Sequence, residues 1–173
     1  MRPRAAVTRA LTVTVVAVSL VALGACRGTD RGVVEREVAS PDGARVARYY
    51  VVSGGGAAGY VDEYVDVRPR GEPFDPYADD PALLMTHGGG VTLTWRGPDR
   101  LVVEYPGWAG VSRGCRAARG VTIEYVARAE PDSAWGPAAR AEWESARQLD
   151  ADLARRGEPP IQSQYRGLTG RCS

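Results

Sequence analysis

The chain contains a single histidine, His87, set in the run THGGG. Imidazole is the side chain best suited to move protons near neutral pH. A hydrolase built on it would use His87 as base with an acid such as Asp79 or Glu104. That chemistry also needs a nucleophile, and no G-x-S-x-G elbow occurs in the chain. Ser53 precedes a glycine run that could be read as a phosphate cradle. A phosphate loop requires a lysine, however, and the chain has none. Asp75, Asp79 and Asp80 cluster in FDPYADDP, but calcium asks for more oxygens, alternately spaced around a glycine turn. The plainer reading is an exposed histidine, a flexible connection and a solvated acidic loop. The expectation is a protein that is not an enzyme and uses no metal or cofactor, with the His87 hydrolase as its rival.

Binding chemistry has a better candidate. In YVDEYVDV (60–67), Tyr60, Asp62, Tyr64 and Asp66 fall on one face of a strand, with Val61, Val65 and Val67 behind them. Glu63 interrupts that apolar side. An aromatic and acidic stripe on an exposed sheet face suits a cationic or glycan partner, against the alternative of a merely solvated outer face. Trp108 is a second aromatic candidate for this surface.

The remaining reactive side chains are thiols. Cys26 closes the stretch LGAC, which follows a basic start, MRPRAAVTR, and an apolar run at residues 10–23. At about 14 residues the run suits a signal-peptide core and falls short of the ~20 needed to span a membrane. LGAC resembles a bacterial lipobox, with Leu23 at −3, Gly24 and Ala25 next, and Cys26 as the acceptor. The resemblance implies residues 1–25 as a lipoprotein signal peptide, diacylglycerol on the Cys26 sulfur, and cleavage before it. An uncleaved anchor helix and ordinary cleavage after Gly24 are the alternatives. Two or more acyl chains hold stably, since each buried CH₂ contributes ~0.8 kcal/mol. Residues 27–32 would then be a tether of ~20 Å at full stretch. Membrane lipid becomes the first expected partner, at a cell membrane or an outer membrane, with the domain on the extracytoplasmic side.

Loss of Arg2, Arg4 and Arg9 with the leader would move the formal charge from +1 to about −2. Near-neutrality and export argue against nucleic-acid binding. The absence of lysine and asparagine and the single phenylalanine reflect GC-rich codon usage, so abundant arginine is not a sign of anion binding. In an oxidising compartment Cys115 and Cys172 can pair. A bridge closing a loop of about 57 residues contributes roughly 4 kcal/mol in the chain-entropy model; two free thiols are the alternative.

The elements that must carry these residues follow from periodicity. VTLTW (91–95), LVVEY (101–105) and VTIEYVA (121–127) alternate with period 2 and place Val91, Leu93, Trp95, Leu101, Val103, Tyr105, Val121, Ile123 and Tyr125 on apolar faces. RGPDR (96–100) and SPDG (40–43) read as tight turns. VVEREVA (33–39), ARVARYYVV (44–52) and residues 60–67 complete a set of five or six strands, and residues 68–90 read as a long irregular connection. From Trp135, apolar residues recur at helical spacing through Leu153 until Gly157, Pro159 and Pro160 stop the run. The expected fold is α+β. It is one domain over residues 33–173, an antiparallel meander wet on one face and covered on the other by a C-terminal amphipathic helix.

SPDG with Ala47, the glycine-rich loop, the W-x-x-x-D-x-L-x-V-x-Y pattern (Trp95, Asp99, Leu101, Val103, Tyr105) and V-x-I-x-Y (Val121, Ile123, Tyr125) resemble a group of small bacterial envelope lipoproteins of uncharacterised activity. The likeness spans about residues 34–126 and rests on turn and core positions, so it brings no catalytic residues. It implies an anchored extracytoplasmic protein with a structural, accessory or binding role, whose partner would be an envelope protein or a glycan.

Overall fold

The computed structural model describes residues 31–55, 59–77, 80–160 and 166–171. Nine strands form one sheet: β1 (Arg31–Ala39), β2 (Arg45–Gly54), β3 (Tyr60–Pro69), β4 (Leu83–Thr86), β5 (Thr92–Gly97), β6 (Arg100–Pro106), β7 (Gly110–Ala118), β8 (Val121–Arg128) and β9 (Arg166–Arg171). Eight of them follow the path β1-β2-β3-β4-β7-β8-β6-β5, and β9 pairs with β7. A short 3-10 turn (Ser133–Trp135) leads into α1 (Gly136–Arg156).

The α+β composition and the C-terminal helix agree with the sequence reading, whereas the five- or six-strand antiparallel meander does not. The sheet gains β4, β7 and β9, and the pairs β6–β8 and β7–β9 are parallel. It also curls into a nearly closed barrel. The alternating apolar residues of β5, β6 and β8 point inward as expected, joining Val65, Val67, Leu83 and Met85 in one core to which no helix residue belongs. Curling lets the sheet bury its own apolar face, so α1 is left to a second cluster with Trp108, Trp135 and Ala139.

The two end strands approach without a ladder. Side chains span the gap instead: Trp95 Nε1 donates to the Val38 carbonyl at 3.0 Å, and Arg36 Nη1 to the Val91 carbonyl at 3.0 Å. Arg45 Nη1 donates to the Pro98 carbonyl at 3.2 Å nearby. The SPDG turn forms as read, with the Ser40 hydroxyl and the Ala44 N–H both donating to Asp42. Those two bonds hold the Asp42 carboxyl below its ordinary range.

The outer face of β2 and β3 is not wet. The connection after β3 folds over it, so that Tyr50 is fully buried and stacks on Tyr64 at 4.9 Å, with Phe74 edge-on to Tyr50. Arg68, also fully buried, lies over the Phe74 ring at 4.9 Å and donates from Nε to Asp66 Oδ2 at 2.5 Å. It reaches the Pro73 carbonyl as well. This layer corrects the reading of Asp66 as part of an exposed binding stripe, because the residue is 1% exposed and its carboxylate is bonded to Arg68.

Candidate functional site

One mouth of the barrel opens into a cleft of about 800 Å³. Its floor is set by Glu63, the residue that broke the apolar phase of β3. Glu63 sits on the inner face and is 3% exposed, yet its carboxylate is satisfied. The Tyr49 hydroxyl donates to Oε2 at 2.5 Å, and the Gly88 and Gly89 N–H groups both donate to Oε1 at 2.8 Å. A buried charge persists only where such donors replace water. Here they tie β2, β3 and the glycine loop into one unit.

The loop needs its glycines for this approach. Gly89 holds φ +78°, and a Cβ there would lie 2.6 Å from the Ala139 Cα of α1. A Cβ on Gly90 would lie equally close to Trp135. Gly89→Ala is expected to lower stability by more than ~2 kcal/mol, since left-handed strain and a backbone collision add; chemical denaturation measures it.

A register shift supplies the next wall. Val34 pairs with Tyr50 and Arg36 with Tyr49, so Glu35 is the extra residue of a β-bulge. The bulge returns Arg36 to the inward face beside Tyr49, where it lines the cleft with Glu35. Arg36 also donates to the Ala134 carbonyl at 3.4 Å, linking β1 to the turn before α1. Trp135 Nε1 donates to Thr92 Oγ1 at 2.9 Å and holds the indole as a further wall. Tyr60, Val61 and Asp62 form the rim.

His87 stands at the edge, its side chain 78% exposed and its backbone at φ 57°. Its Nδ1 lies 3.6 Å from Glu142 Oε2 on α1. This is not the acid the sequence reading offered: Glu104 pairs with Arg128 at 2.7 Å, and Asp79 lies outside the described residues. Beyond the His87–Glu142 pair a second cleft of about 320 Å³ runs along α1, lined in part by Trp108 and Leu149. Trp108 is 5% exposed and packs on Trp135, which corrects its reading as an exposed aromatic.

Of the expected binding surface, then, Tyr60 and Asp62 reach the cleft, Tyr64 is half-buried in the outer layer, and Asp66 and Trp108 are interior. Ser53 is half-buried near the end of β2. The acidic loop is put to other uses: Asp75 caps the Tyr77 N–H at 2.9 Å, and Asp80 pairs with Arg113. Among the described residues no group of three or more His, Cys, Asp or Glu is placed to hold a metal, and no helix is long and apolar enough to cross a membrane. Cys115 is fully buried and disulfide-bonded, while Cys26 and Cys172 lie outside the described residues.

Arg36, Tyr49 and Glu142 were not anticipated. Glu63 had a signal, a charge at an apolar-phase position, but its donors could not be assigned from spacing.

Burial, reinforced by the Glu63 carboxylate, pushes the Tyr49 phenol far above its ordinary value, and burial does the same to Tyr125. A raised phenol pKa favours the neutral form in the fold. Its contribution is therefore complete below pH ~10 and is lost as pH rises beyond that. In an alkaline titration Tyr49 and Tyr125 are expected to give phenolate absorbance only together with loss of the strand circular dichroism.

No protein-family model matches the chain, and no curated protein or solved structure matches it either.

Proposed function

We propose that the chain is a lipid-anchored protein of the bacterial cell envelope whose barrel binds a small organic cation in the cleft at its mouth. The observation that carries the binding half is the cleft lining. Glu35, Asp62 and Glu142 line the cleft with one guanidinium, Arg36, and one imidazole, His87, between walls that include Tyr60 and Trp135. Carboxylates together with aromatic faces attract ammonium groups by charge and by cation–π contact. A glycan is the second ligand class that such aromatic walls suit. The anchoring half rests on the lipobox at Leu23–Cys26. Pairing of Cys115 with Cys172 fits the same compartment, and β9 supports it by bringing Arg171 opposite Ala117.

Two measurements test this reading. Radiolabelled palmitate is expected to mark the wild-type chain and not Cys26→Ser. Spermidine is expected to raise the thermal midpoint, by about 2.7 kcal/mol of added stability at a hundredfold excess over Kd, and the gain is expected to shrink in Asp62→Asn. A shift produced by a chitin oligosaccharide and not by spermidine would replace the cation with a glycan.

One observation favours the rival. The His87–Glu142 contact of 3.6 Å is the imidazole–carboxylate pairing a hydrolase would use to orient its base. An esterase activity lost in both His87→Ala and Glu142→Gln would establish it.

A further inference from the structure

Six large hydrophobic side chains stand exposed among the described residues, and five of them, Val33, Val34, Tyr60, Val61 and Tyr77, gather at one end of the barrel. The register sets them at the same end, with Val33 and Val61 in phase with the cleft-lining Val51 and with Val34 and Tyr60 in phase with the outer-face Tyr50. Val33 and Val34 lie opposite Val51 and Tyr50 at the start of β1, while Val61 and Tyr60 lie opposite Ser53 and Gly54 at the end of β2. The Tyr77 hydroxyl comes within 3.8 Å of where a Gly32 Cβ would sit. Val61 and Val33 are at least half exposed, at 56% and 50%. Solvated monomers do not usually gather their exposed apolar residues in this way.

The same end receives the chain from Cys26. Arg31, the first residue of β1, pairs with Ser53, and only about five residue steps separate it from Cys26, a reach of ~18 Å. The opposite end of the barrel, marked by the Arg45–Pro98 hydrogen bond, lies the full length of β2 away, ~30 Å. A tether this short holds the apolar end, and not the far one, against the surface its acyl chains enter.

We propose that Val33, Val34, Tyr60, Val61 and Tyr77 form a membrane-contact surface that rests in the headgroup region of the bilayer. The proposal depends on acylation of Cys26. Glu35, Asp62 and Asp75 stand beside Arg31 and Arg36 at this end, so no excess of basic residues draws it to anionic lipid. The contact is apolar and insensitive to salt. Because Tyr60 and Val61 also form the rim of the cleft, the contact turns that rim toward the lipid.

The test uses the full acylated chain on phosphatidylcholine–phosphatidylglycerol vesicles, with an environment-sensitive fluorescent amino acid at Val61 in one sample and at Asp99 in another. Nitroxide-labelled lipid is expected to quench position 61 several-fold more than position 99. The difference should persist near 1 M NaCl, where charges are screened beyond ~3 Å. Equal quenching at both positions, with Cys26 acylated in the mass spectrum of the same sample, overturns the contact surface and leaves the anchor standing. An unacylated Cys26 overturns the anchor and the contact surface with it. Protection of position 61 accompanied by a dimer in sedimentation, without lipid quenching, assigns the patch to a second copy of the chain and overturns the proposal.

Discussion

Glu63→Ala is expected to lower the unfolding free energy by roughly 3–5 kcal/mol. The substitution removes the common acceptor of three donors, the Tyr49 hydroxyl and the Gly88 and Gly89 N–H groups, of which the first two are buried. Each buried donor left without a partner costs about 1–3 kcal/mol, and water entering through the adjoining cleft offsets part of the sum. Glu63→Gln separates charge from geometry. Its amide oxygen can still accept from the loop, and its NH₂ can donate to the Tyr49 oxygen, so a loss nearer 1–2 kcal/mol is expected. Urea unfolding of the three proteins checks the order. A loss in Glu63→Ala no larger than that of an ordinary surface substitution would mean that the carboxylate does not organise the mouth.

Asp66→Ala is the second large effect, at about 3–5 kcal/mol, because it breaks a buried ion pair by removing one of its members. The Arg68 guanidinium is fully buried, stacks on Phe74 and bonds the Pro73 carbonyl, so it is held in place where the carboxylate is lost. The double variant Asp66→Leu, Arg68→Met removes both charges and is expected to recover most of the loss, since buried ion pairs are often no better than apolar residues of similar size. If the double variant were as unstable as the single one, packing of this layer, and not its charge balance, would be the controlling term.

Both effects involve residues whose surroundings were only partly legible in the sequence. β5 and β8 could be read because one face of each is apolar and the other more exposed, and β6 through Leu101, Val103 and Tyr105 although Val102 on its other face is buried too. β4 is four residues long, too short for any period to show, and β7 carries glycine and arginine where an alternating pattern would stand. Their placement depends on ladder partners distant in sequence, which no local window contains. The parallel pairs β6–β8 and β7–β9 and the curling of the sheet are likewise nonlocal. The stripe Tyr60–Asp66 has the correct alternation and the wrong surroundings, because nothing local announces that Phe74 and the connection after β3 will close over it. Glu63 was visible as a break in phase, but its partners lie fourteen and twenty-five or more residues away. The bulge at Glu35 left only the adjacent pair Val33–Val34 as a trace of the slip in register.

The gap between β1 and β5 has a consequence for life at high local concentration. Unpaired strand margins are the usual templates on which one folded molecule recruits the backbone of another. Here each margin faces its counterpart, and the bulge at Glu35 breaks the regular row of amides that a foreign segment would need. Indole and guanidinium groups from Trp95 and Arg36 already occupy carbonyls on either side. Many copies crowded onto one surface would therefore find the β1–β5 gap a poor template through which to polymerise, even though the cylinder never fully closes.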